Sequence, residues 1–298
     1  MTTRTNPSVA VVGPGAIGTT IAAAMHEAGR TPLLCGRTAR ERLELRDAVG
    51  QVVVPGPVRI DPTGINEKVE LVFLAVKSTQ VDAAAPWLTS LCHKDTVICV
   101  LQNGVEQDAL VAPYASGCPI VPSVVWFPAQ AEPDGSVWLR GEARLTLPDV
   151  PATQVVLEAL GDTRCIVEVV EDFRSVAWRK LLQNAVAGLM VLSGRRSGMF
   201  GRADIAQLSL DYLHECLAVA RAEGAVLGDE VPQEIVDIFQ SSPSDMGTSI
   251  LADREADRPL EWDVRNGVIV RRGRSRGIAT PISNAVASLL AAASDGPG

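Results

Sequence analysis

Two polar residues stand four positions apart in a segment with helical periodicity, residues 174–192. Because an α-helix advances about 100° per residue, Lys180 and Asn184 share one face, opposite a broad apolar stripe. Small and mostly apolar residues surround them on that face: Ala177, Ala187, Gly188 and Val191. An ammonium group and an amide in such surroundings can donate hydrogen bonds to a carbonyl and a hydroxyl of a small substrate, so we predict that this face lines a covered cleft. A lysine whose stem packs along the protein surface, beside an incidental asparagine, fits the same pattern.

A glycine-rich turn near the start of the chain predicts a dinucleotide site. It follows the apolar run 9–12 and precedes a helical segment, residues 19–29. Six residues form the turn: Gly13, Pro14, Gly15, Ala16, Ile17 and Gly18. Glycines let the backbone approach a pyrophosphate closely, and the N–H groups of the helix then face the phosphates. An ordinary strand–turn–helix is the alternative, whereas a signal peptide is disfavoured because three glycines and a proline interrupt the apolar stretch.

An arginine, and not a carboxylate, follows the second predicted strand, residues 31–35. A site for NAD(H) places Asp or Glu there to hold the ribose 2′-hydroxyl, and that carboxylate would repel a 2′-phosphate. A guanidinium can hold the phosphate in a bidentate manner. We therefore predict NADP(H) as the cofactor, with Arg37 on its 2′-phosphate. Alternatively, Arg37 and Arg40 are solvated residues at the start of a helix.

Polar residues also follow two further predicted strands. Lys77 comes directly after the run 71–76, and Asn103 comes after the run 97–101. Ligands of open parallel sheets bind outside the carboxyl ends of the strands, which places both side chains at the predicted cofactor crevice. A solvated lysine at a helix start and a plain Asn-Gly turn are the alternatives.

The order of the predicted elements indicates two domains. Apolar runs of strand length, 71–76, 97–101 and 120–126, suit a parallel sheet buried on both faces. Residues 135–139 and 143–147 are predicted to form an antiparallel pair. Long helical windows follow: 173–192, 205–227, 232–239, 259–273 and 281–293. We predict an α/β fold, with an N-terminal Rossmann-type NADP-binding domain over 1–171 and an all-helical substrate and catalytic domain over 172–298.

Composition narrows the possible partners. The formal net charge is −8 without a basic block, which argues against nucleic acid or an anionic membrane as a partner. Apolar runs stay shorter than the ~18–20 residues of a membrane span. The six cysteines are scattered and the three histidines do not cluster, so neither a disulfide framework nor a metal site is predicted. We expect a cytoplasmic enzyme of small molecules.

Several motifs occur in a fixed order along nearly the whole chain: Gly13–Gly18, Ala75–Lys77, Gln102–Gly104, Trp178–Asn184, Thr248–Asp253, Arg258–Asp263, Asn266–Gly267 and Gly277–Pro281. Together they resemble the ketopantoate reductases (2-dehydropantoate 2-reductases). The resemblance implies NADPH-dependent reduction of an α-keto acid, above all of 2-dehydropantoate to pantoate in pantothenate and coenzyme A biosynthesis. It also implies a helical C-terminal domain that closes over a cleft.

The resemblance further implies a role for individual residues. Lys180 would be the general acid, Asn184 a substrate hydrogen-bond donor, Ser249 the substrate-binding serine, and Glu261 the glutamate that orders the lysine and the substrate. Arg37 falls at the 2′-phosphate arginine, and Lys77 and Asn103 at cofactor-cleft residues, with Asn103 also near the substrate. From its own surroundings Glu261 has a structural interpretation, because it follows Pro259 in a predicted first helical turn and could pair with Arg265.

The chain departs from the family's pattern at one place. The family usually has a second asparagine and then a proline one helical turn beyond Asn184, where this chain has Gly188 and Leu189. Loss of that amide predicts a larger pocket and a different or bulkier 2-keto acid, with fold and hydride chemistry retained. Three alternatives stay open: a paralogous reductase of another 2-keto acid, a β-hydroxyacid dehydrogenase and a non-catalytic NADP(H)-binding sensor. The sequence does not distinguish a monomer from a homodimer.

Overall fold

The computed structural model describes residues 7–296. Internal contacts divide the chain into two compact units. The first unit comprises Met1–Gln102 and Glu106–Phe173, and the second comprises Asn103–Val105 and Arg174–Gly298. The three-residue segment that contains Asn103 thus belongs with the helical part of the chain.

Residues 7–173 contain twelve strands: β1 (Val9–Val12), β2 (Leu33–Cys35), β3 (Arg42–Arg46), β4 (Gln51–Pro55), β5 (Leu71–Leu74), β6 (Val97–Val100), β7 (Ile120–Pro122), β8 (Val124–Val125), β9 (Ala129–Ala131), β10 (Val137–Leu139), β11 (Arg144–Pro148) and β12 (Ile166–Val170). Four helices accompany them: α1 (Ala16–Glu27), α2 (Val81–Leu91), α3 (Gln107–Val111) and α4 (Thr153–Leu160).

The central sheet of the first unit is parallel throughout. Its order is β2-β1-β5-β6-β7, with Val9 opposite Leu71 and Leu71 opposite Val97. Every residue of β1, β5 and β6 is buried, as the apolar runs predicted for a sheet covered on both faces. The carboxyl ends of these strands lie at one edge of the sheet, where the glycine turn follows β1.

Two smaller sheets differ from the prediction. Residues 135–139 and 143–147 do not pair with each other: β10 pairs with β9 and β3, while β11 pairs with β12 and β8. The reason is a tight turn before β10, in which the Asp134 carboxylate accepts hydrogen bonds from the backbone N–H and the hydroxyl of Ser136. This turn directs β10 back onto β9.

The sequence analysis also missed a hairpin. Strands β3 and β4 form an antiparallel pair directly after Arg40, where we had considered a helix start. The Asp47 carboxylate closes the hairpin by accepting from the N–H groups of Val49 and Gly50. The predicted strand 120–126 is divided at Ser123 into β7 and β8, which belong to different sheets, and Pro122 lies on an edge strand as its missing N–H requires.

The second unit is helical. It contains seven helices among its described residues: α5 (Phe173–Val186), α6 (Gly188–Ser193), α7 (Ala203–Ala222), α8 (Val231–Ser241), α9 (Ser249–Glu255), α10 (Val268–Ser275) and α11 (Pro281–Asp295). The predicted helix 173–192 is interrupted at Ala187, and α9 had not been predicted. In the predicted helix 259–273, the residues up to Glu261 are not helical. A π-helical turn, Asp263–Gly267, then precedes α10.

No helix among residues 7–296 has both the length and the apolar character needed to cross a membrane. Within the same range, no group of three or more His, Cys, Asp or Glu side chains could hold a metal ion. Each unit has its own apolar core, one around the central sheet and one among the helices.

Candidate active site

A row of polar side chains connects three separate segments of the second unit. Asn184, on α5, donates from Nδ2 to Asn103 Oδ1 over 3.2 Å. Asn103 donates from its own Nδ2 to Glu261 Oε2 over 3.4 Å. Three of the residues selected from the sequence therefore lie together, although 158 positions separate Asn103 from Glu261.

A glycine brings Asn103 into this row. Gly104 has a φ of +108°, and a Cβ atom there would lie 3.1 Å from the carbonyl oxygen of Val264. The positive φ strains any residue that has a side chain, and the approach to Val264 leaves little room for a Cβ atom. The Asn-Gly turn therefore sets the backbone of Asn103 directly against the π-helical turn that follows Glu261.

Lys180 lies one helical turn before Asn184 on α5 and is half-buried. Burial of its ammonium lowers the pKa of Lys180 to about 8, and the Arg265 guanidinium contributes a smaller part in the same direction. A lysine with this pKa gives up a proton more readily near neutral pH than an exposed one.

The small residues around Lys180 on the predicted helix face are all buried. Ala187 and Val191 are buried in the core of the second unit, and Ala177 and Gly188 are buried as well. Ala187 and Val191 therefore belong to the apolar core of the second unit. On this face of α5, Lys180 and Asn184 are only partly buried.

Glu261 and Arg265 form a buried ion pair across the π-helical turn. Glu261 Oε2 lies 3.9 Å from Arg265 Nη2, and their side chains are 8% and 2% exposed. The predicted pairing four residues apart is confirmed, but the placement of Glu261 in a first helical turn is wrong. The helical residues begin at Trp262, and a widened turn of this type is frequent at functional sites because it redirects the side chains that follow.

Ser249 joins the same group. It is the first residue of α9, and its Oγ accepts a hydrogen bond of 2.9 Å from Arg265 Nη2. Arg265 is the member that the sequence analysis had considered only as a structural partner. Its spacing of four from Glu261 was the available signal, but nothing in the pattern showed that a guanidinium would be buried beside Ser249.

Gly188 does not open the substrate pocket. A Cβ atom at this position would lie 2.8 Å from Leu290 Cδ1 and 3.0 Å from Asn266 Nδ2. The Asn266 amide occupies this space, donating to the carbonyl of Ala185 and to the hydroxyl of Tyr212 over 2.9 Å each. The expected pocket enlargement is therefore wrong, because the break at Ala187 directs position 188 into the core.

In the first unit, the glycine turn has the shape that a dinucleotide needs. Gly13 has a φ of +89°, and a Cβ atom there would be 2.6 Å from Val76 Cγ1. At Gly15, by contrast, a Cβ atom would meet no atom within 4 Å. No side chain caps the first N–H groups of α1, at Ala16 and Ile17. Open space before uncapped N–H groups fits a pyrophosphate.

Arg37 is exposed directly after β2 and Gly36. Beside it runs an extended segment, because Arg59 donates its N–H to the carbonyl of Leu34 and accepts from the N–H of Gly36. An open cavity of about 260 Å³ follows this segment and is lined by Val58, Arg59, Ile60, Asp61, Gly64 and Ile65. Lys77 lies at the carboxyl end of β5, immediately before the short 3₁₀ turn Ser78–Gln80.

Comparison with known proteins gives matches along most of the chain. A family model described as "Ketopantoate reductase PanE/ApbA" matches residues 9–152. A second model, "Ketopantoate reductase PanE/ApbA C terminal", matches residues 172–294. Together they include every candidate residue of both units.

Individual relatives agree with these models. A 2-dehydropantoate 2-reductase of Mycobacterium tuberculosis is 57% identical over 291 residues, which cover 97% of this chain and 99% of the relative. A 2-dehydropantoate 2-reductase of Caulobacter vibrioides is 34% identical over 96% of this chain and 99% of its own length. A solved dimeric ketopantoate reductase from Staphylococcus aureus aligns with a TM-score of 0.87 at 28% identity, covering 98% of this chain and all of that one.

Proposed function

The chain belongs to the ketopantoate reductase family, and we propose that it reduces 2-dehydropantoate to pantoate with NADPH, a step of pantothenate and coenzyme A biosynthesis. The observation that most supports this is the polar row Asn184–Asn103–Glu261 beside Lys180, in a chain 57% identical to a 2-dehydropantoate 2-reductase.

NADPH is proposed as the cofactor of the Rossmann-type first unit. The pyrophosphate would lie over Gly15, Ala16 and Ile17, where the turn leaves open space and uncapped N–H groups. Arg37 would hold the 2′-phosphate, since a charge-assisted guanidinium contact at this position distinguishes the phosphate from a hydroxyl. Lys77 follows β5 at the same edge of the sheet.

The proposed chemistry uses Lys180 as the general acid. When bound, NADPH supplies a hydride to the keto carbon of the substrate. Lys180 donates a hydrogen bond to the keto oxygen and then its proton, as negative charge develops on that oxygen. A pKa of about 8 keeps the ammonium protonated at neutral pH while reducing the cost of proton transfer.

The neighbouring residues hold the substrate in the proposal. Glu261 accepts from Asn103, which fixes the orientation of the Asn103 amide and, through it, that of Asn184. Each terminal amide of Asn103 and Asn184 has a second N–H, which can donate to the substrate's hydroxyl or keto oxygen. Ser249, whose Oγ accepts from Arg265, supplies a further hydroxyl.

We further propose a dinucleotide-binding domain over 1–171 and a substrate and catalytic domain over 172–298, in a cytoplasmic enzyme. The dimeric Staphylococcus aureus relative makes a homodimer the first assembly to test. No observation now favours a bulkier keto acid, since Gly188 faces Leu290 and Asn266.

The experiment that tests the function is NADPH oxidation by the wild-type enzyme and by Lys180→Ala, with ketopantoate and with 2-keto acids of graded size. We expect wild-type turnover to be fastest with ketopantoate. Loss of a positioned general acid costs typically ~10²–10⁴-fold, so kcat of Lys180→Ala should fall by that amount. NADPH affinity, measured by fluorescence titration, should stay close to that of the wild type.

Lys94→Ala removes an exposed lysine of the first unit and should leave kcat and KM unchanged. If Lys180→Ala keeps kcat within a few-fold and only raises KM, the lysine binds substrate and another group supplies the proton. Wild-type turnover of every keto acid except ketopantoate would refute the proposed substrate.

A further inference from the structure

Arg265 is a buried cation at the end of the polar row. Its side chain is 2% exposed, and it lies in the π-helical turn Asp263–Gly267, which points it towards α9. Removing a guanidinium from water is costly unless its N–H groups are paired. The partners of Arg265 therefore indicate what the residue does.

The described residues satisfy this guanidinium only in part. Nη2 donates to Ser249 Oγ over 2.9 Å. Glu261 Oε2 is 3.9 Å away, which is too long for a hydrogen bond. The Nε–H group is buried and has no hydrogen-bond partner among residues 7–296. A guanidinium has five N–H groups arranged to grip a carboxylate through two parallel bonds, and this one has donors to spare.

The two acidic residues near Arg265 each have a shorter contact with another residue. Glu261 accepts from Asn103, and Asp253 forms an ion pair of 3.0 Å with Arg258. Burial lowers the pKa of Arg265, and the attraction of Glu261 and Asp253 opposes that change. Arg265 is close enough to Lys180, a second cation, to contribute to the lowered pKa of that lysine. A bound anion would supply the partner that the buried Nε–H group of Arg265 lacks among residues 7–296.

We propose that Arg265 binds the carboxylate of the 2-keto acid, with Ser249 as the second donor, and that it thereby selects free acids over neutral carbonyl compounds. Because Ser249 Oγ accepts from Arg265, its own O–H stays available to donate to the same carboxylate. Lys180 is then available to donate a hydrogen bond to the keto oxygen. This inference depends on the proposed reduction of a 2-keto acid.

A purely structural role makes a different prediction. If Arg265 only orients Glu261, its loss should slow the reduction of charged and neutral substrates by the same factor. If Arg265 binds the carboxylate, only the charged substrate should suffer. Ketopantoate and its lactone separate the two cases, because the lactone has the same carbon skeleton and keto group but no free carboxylate.

The test compares kcat/KM for ketopantoate and for its lactone in the wild type, Arg265→Met and Arg265→Lys. A charge-assisted contact contributes roughly ten- to a hundredfold, so Arg265→Met should lose that factor with the acid, mainly through KM. With the lactone the change should stay within about threefold. Arg265→Lys, which keeps the charge but loses the fork, should lie between the wild type and Arg265→Met with the acid.

Arg271→Met is the matched control, since it removes an exposed arginine of the adjoining helix α10, one that pairs with Asp263. It should leave both substrates unaffected. Thermal melting and NADPH titration establish that each variant is folded. Should Arg265→Met not fold, Arg265→Lys provides the comparison. Should the lactone react too slowly, inhibition by pantoate and by pantolactone gives the same comparison.

An equal loss for acid and lactone would overturn the assignment of Arg265 to the carboxylate. So would an unchanged KM for the acid in a folded Arg265 variant. Failure of the wild type to reduce ketopantoate would instead refute the proposed function, so the two failures are distinguishable.

Discussion

Two cations, Lys180 and Arg265, determine the chemistry of the polar row at the residue scale. Burial lowers the pKa of both groups, and the Arg265 guanidinium lowers that of Lys180 further. Lysine responds by lowering its pKa into a range where it can transfer a proton, whereas arginine stays charged because its ordinary pKa is far higher. Lys180 can thus act as a proton donor, whereas Arg265 remains a fixed positive charge.

The lowered pKa of Lys180 predicts that the rate of reduction depends on pH. The pKa of Lys180 is lowered from 10.5 to about 8, and the protonated form is the active one. We expect kcat/KM for ketopantoate to be flat below about pH 8 and to fall tenfold per pH unit above it. Removal of the guanidinium in Arg265→Met should move this limb to higher pH. A rate that rises with pH across the same range would contradict a general acid at Lys180.

Arg37 gives a second prediction at this scale. Arg37→Ala should weaken NADPH binding by about ten- to a hundredfold, because one charge-assisted contact is lost, and should leave NADH binding nearly unchanged. Fluorescence titration with both cofactors measures the difference. Arg42→Ala, an exposed arginine on β3, is the control. Equal losses for the two cofactors would place the discrimination elsewhere, with Arg59 and Arg40 the next residues to test.

At the scale of elements, two glycines of the turn after β1 have different roles, one in folding and one in cofactor binding. Gly13 is needed for the fold, since its positive φ and the 2.6 Å approach to Val76 exclude a side chain. Gly15 faces open space and has no such constraint in the free protein. The two positions therefore serve different purposes within one motif.

We accordingly expect Gly15→Ala to keep a melting temperature close to that of the wild type and to bind NADPH at least tenfold more weakly, because the added methyl occupies space that the pyrophosphate needs. Gly13→Ala should instead lower the free energy of unfolding by about 1–3 kcal/mol, the usual cost of overpacking, with strain added. Thermal melts with and without NADPH distinguish the two effects. Tight NADPH binding by Gly15→Ala would contradict the proposed site.

Interruptions of regular helix also matter at this scale. The π-helical turn Asp263–Gly267 buries Arg265 and Asn266, close to the buried Glu261 that precedes it. The break at Ala187 turns Gly188 towards Asn266. In both places the sequence predicts a helix correctly, but the departure from regular geometry decides which side chains reach the site.

For the molecule as a whole, the cysteines give a prediction independent of catalysis. All six are free thiols, and burial raises the pKa of Cys35, Cys92 and Cys165 to about 12. Because the thiolate is the reactive form, Ellman's reagent should label the native enzyme slowly at neutral pH and all six thiols after unfolding. Rapid labelling of several thiols in the native enzyme would contradict this burial.

Much of the fold followed from the sequence because the relevant signals are local. The buried runs of β1, β5 and β6 and the glycine turn predict a parallel sheet with a dinucleotide turn. The helical windows of the second half predict its class. Strand pairing was harder to predict from the sequence. The partners of β10 and β11 depend on turns and on strands distant in the chain, so the predicted pairing of these two strands was wrong.

The sequence by itself determined which residue types were present and in what order, and the family resemblance gave Lys180, Asn184, Ser249 and Glu261 their expected roles. Only the tertiary structure decided that Asn103 bridges Asn184 and Glu261, that Arg265 is buried beside Ser249, and that Gly188 faces the core. The physical reason is that burial and hydrogen bonding depend on segments far apart in the chain, which meet only when the helices pack.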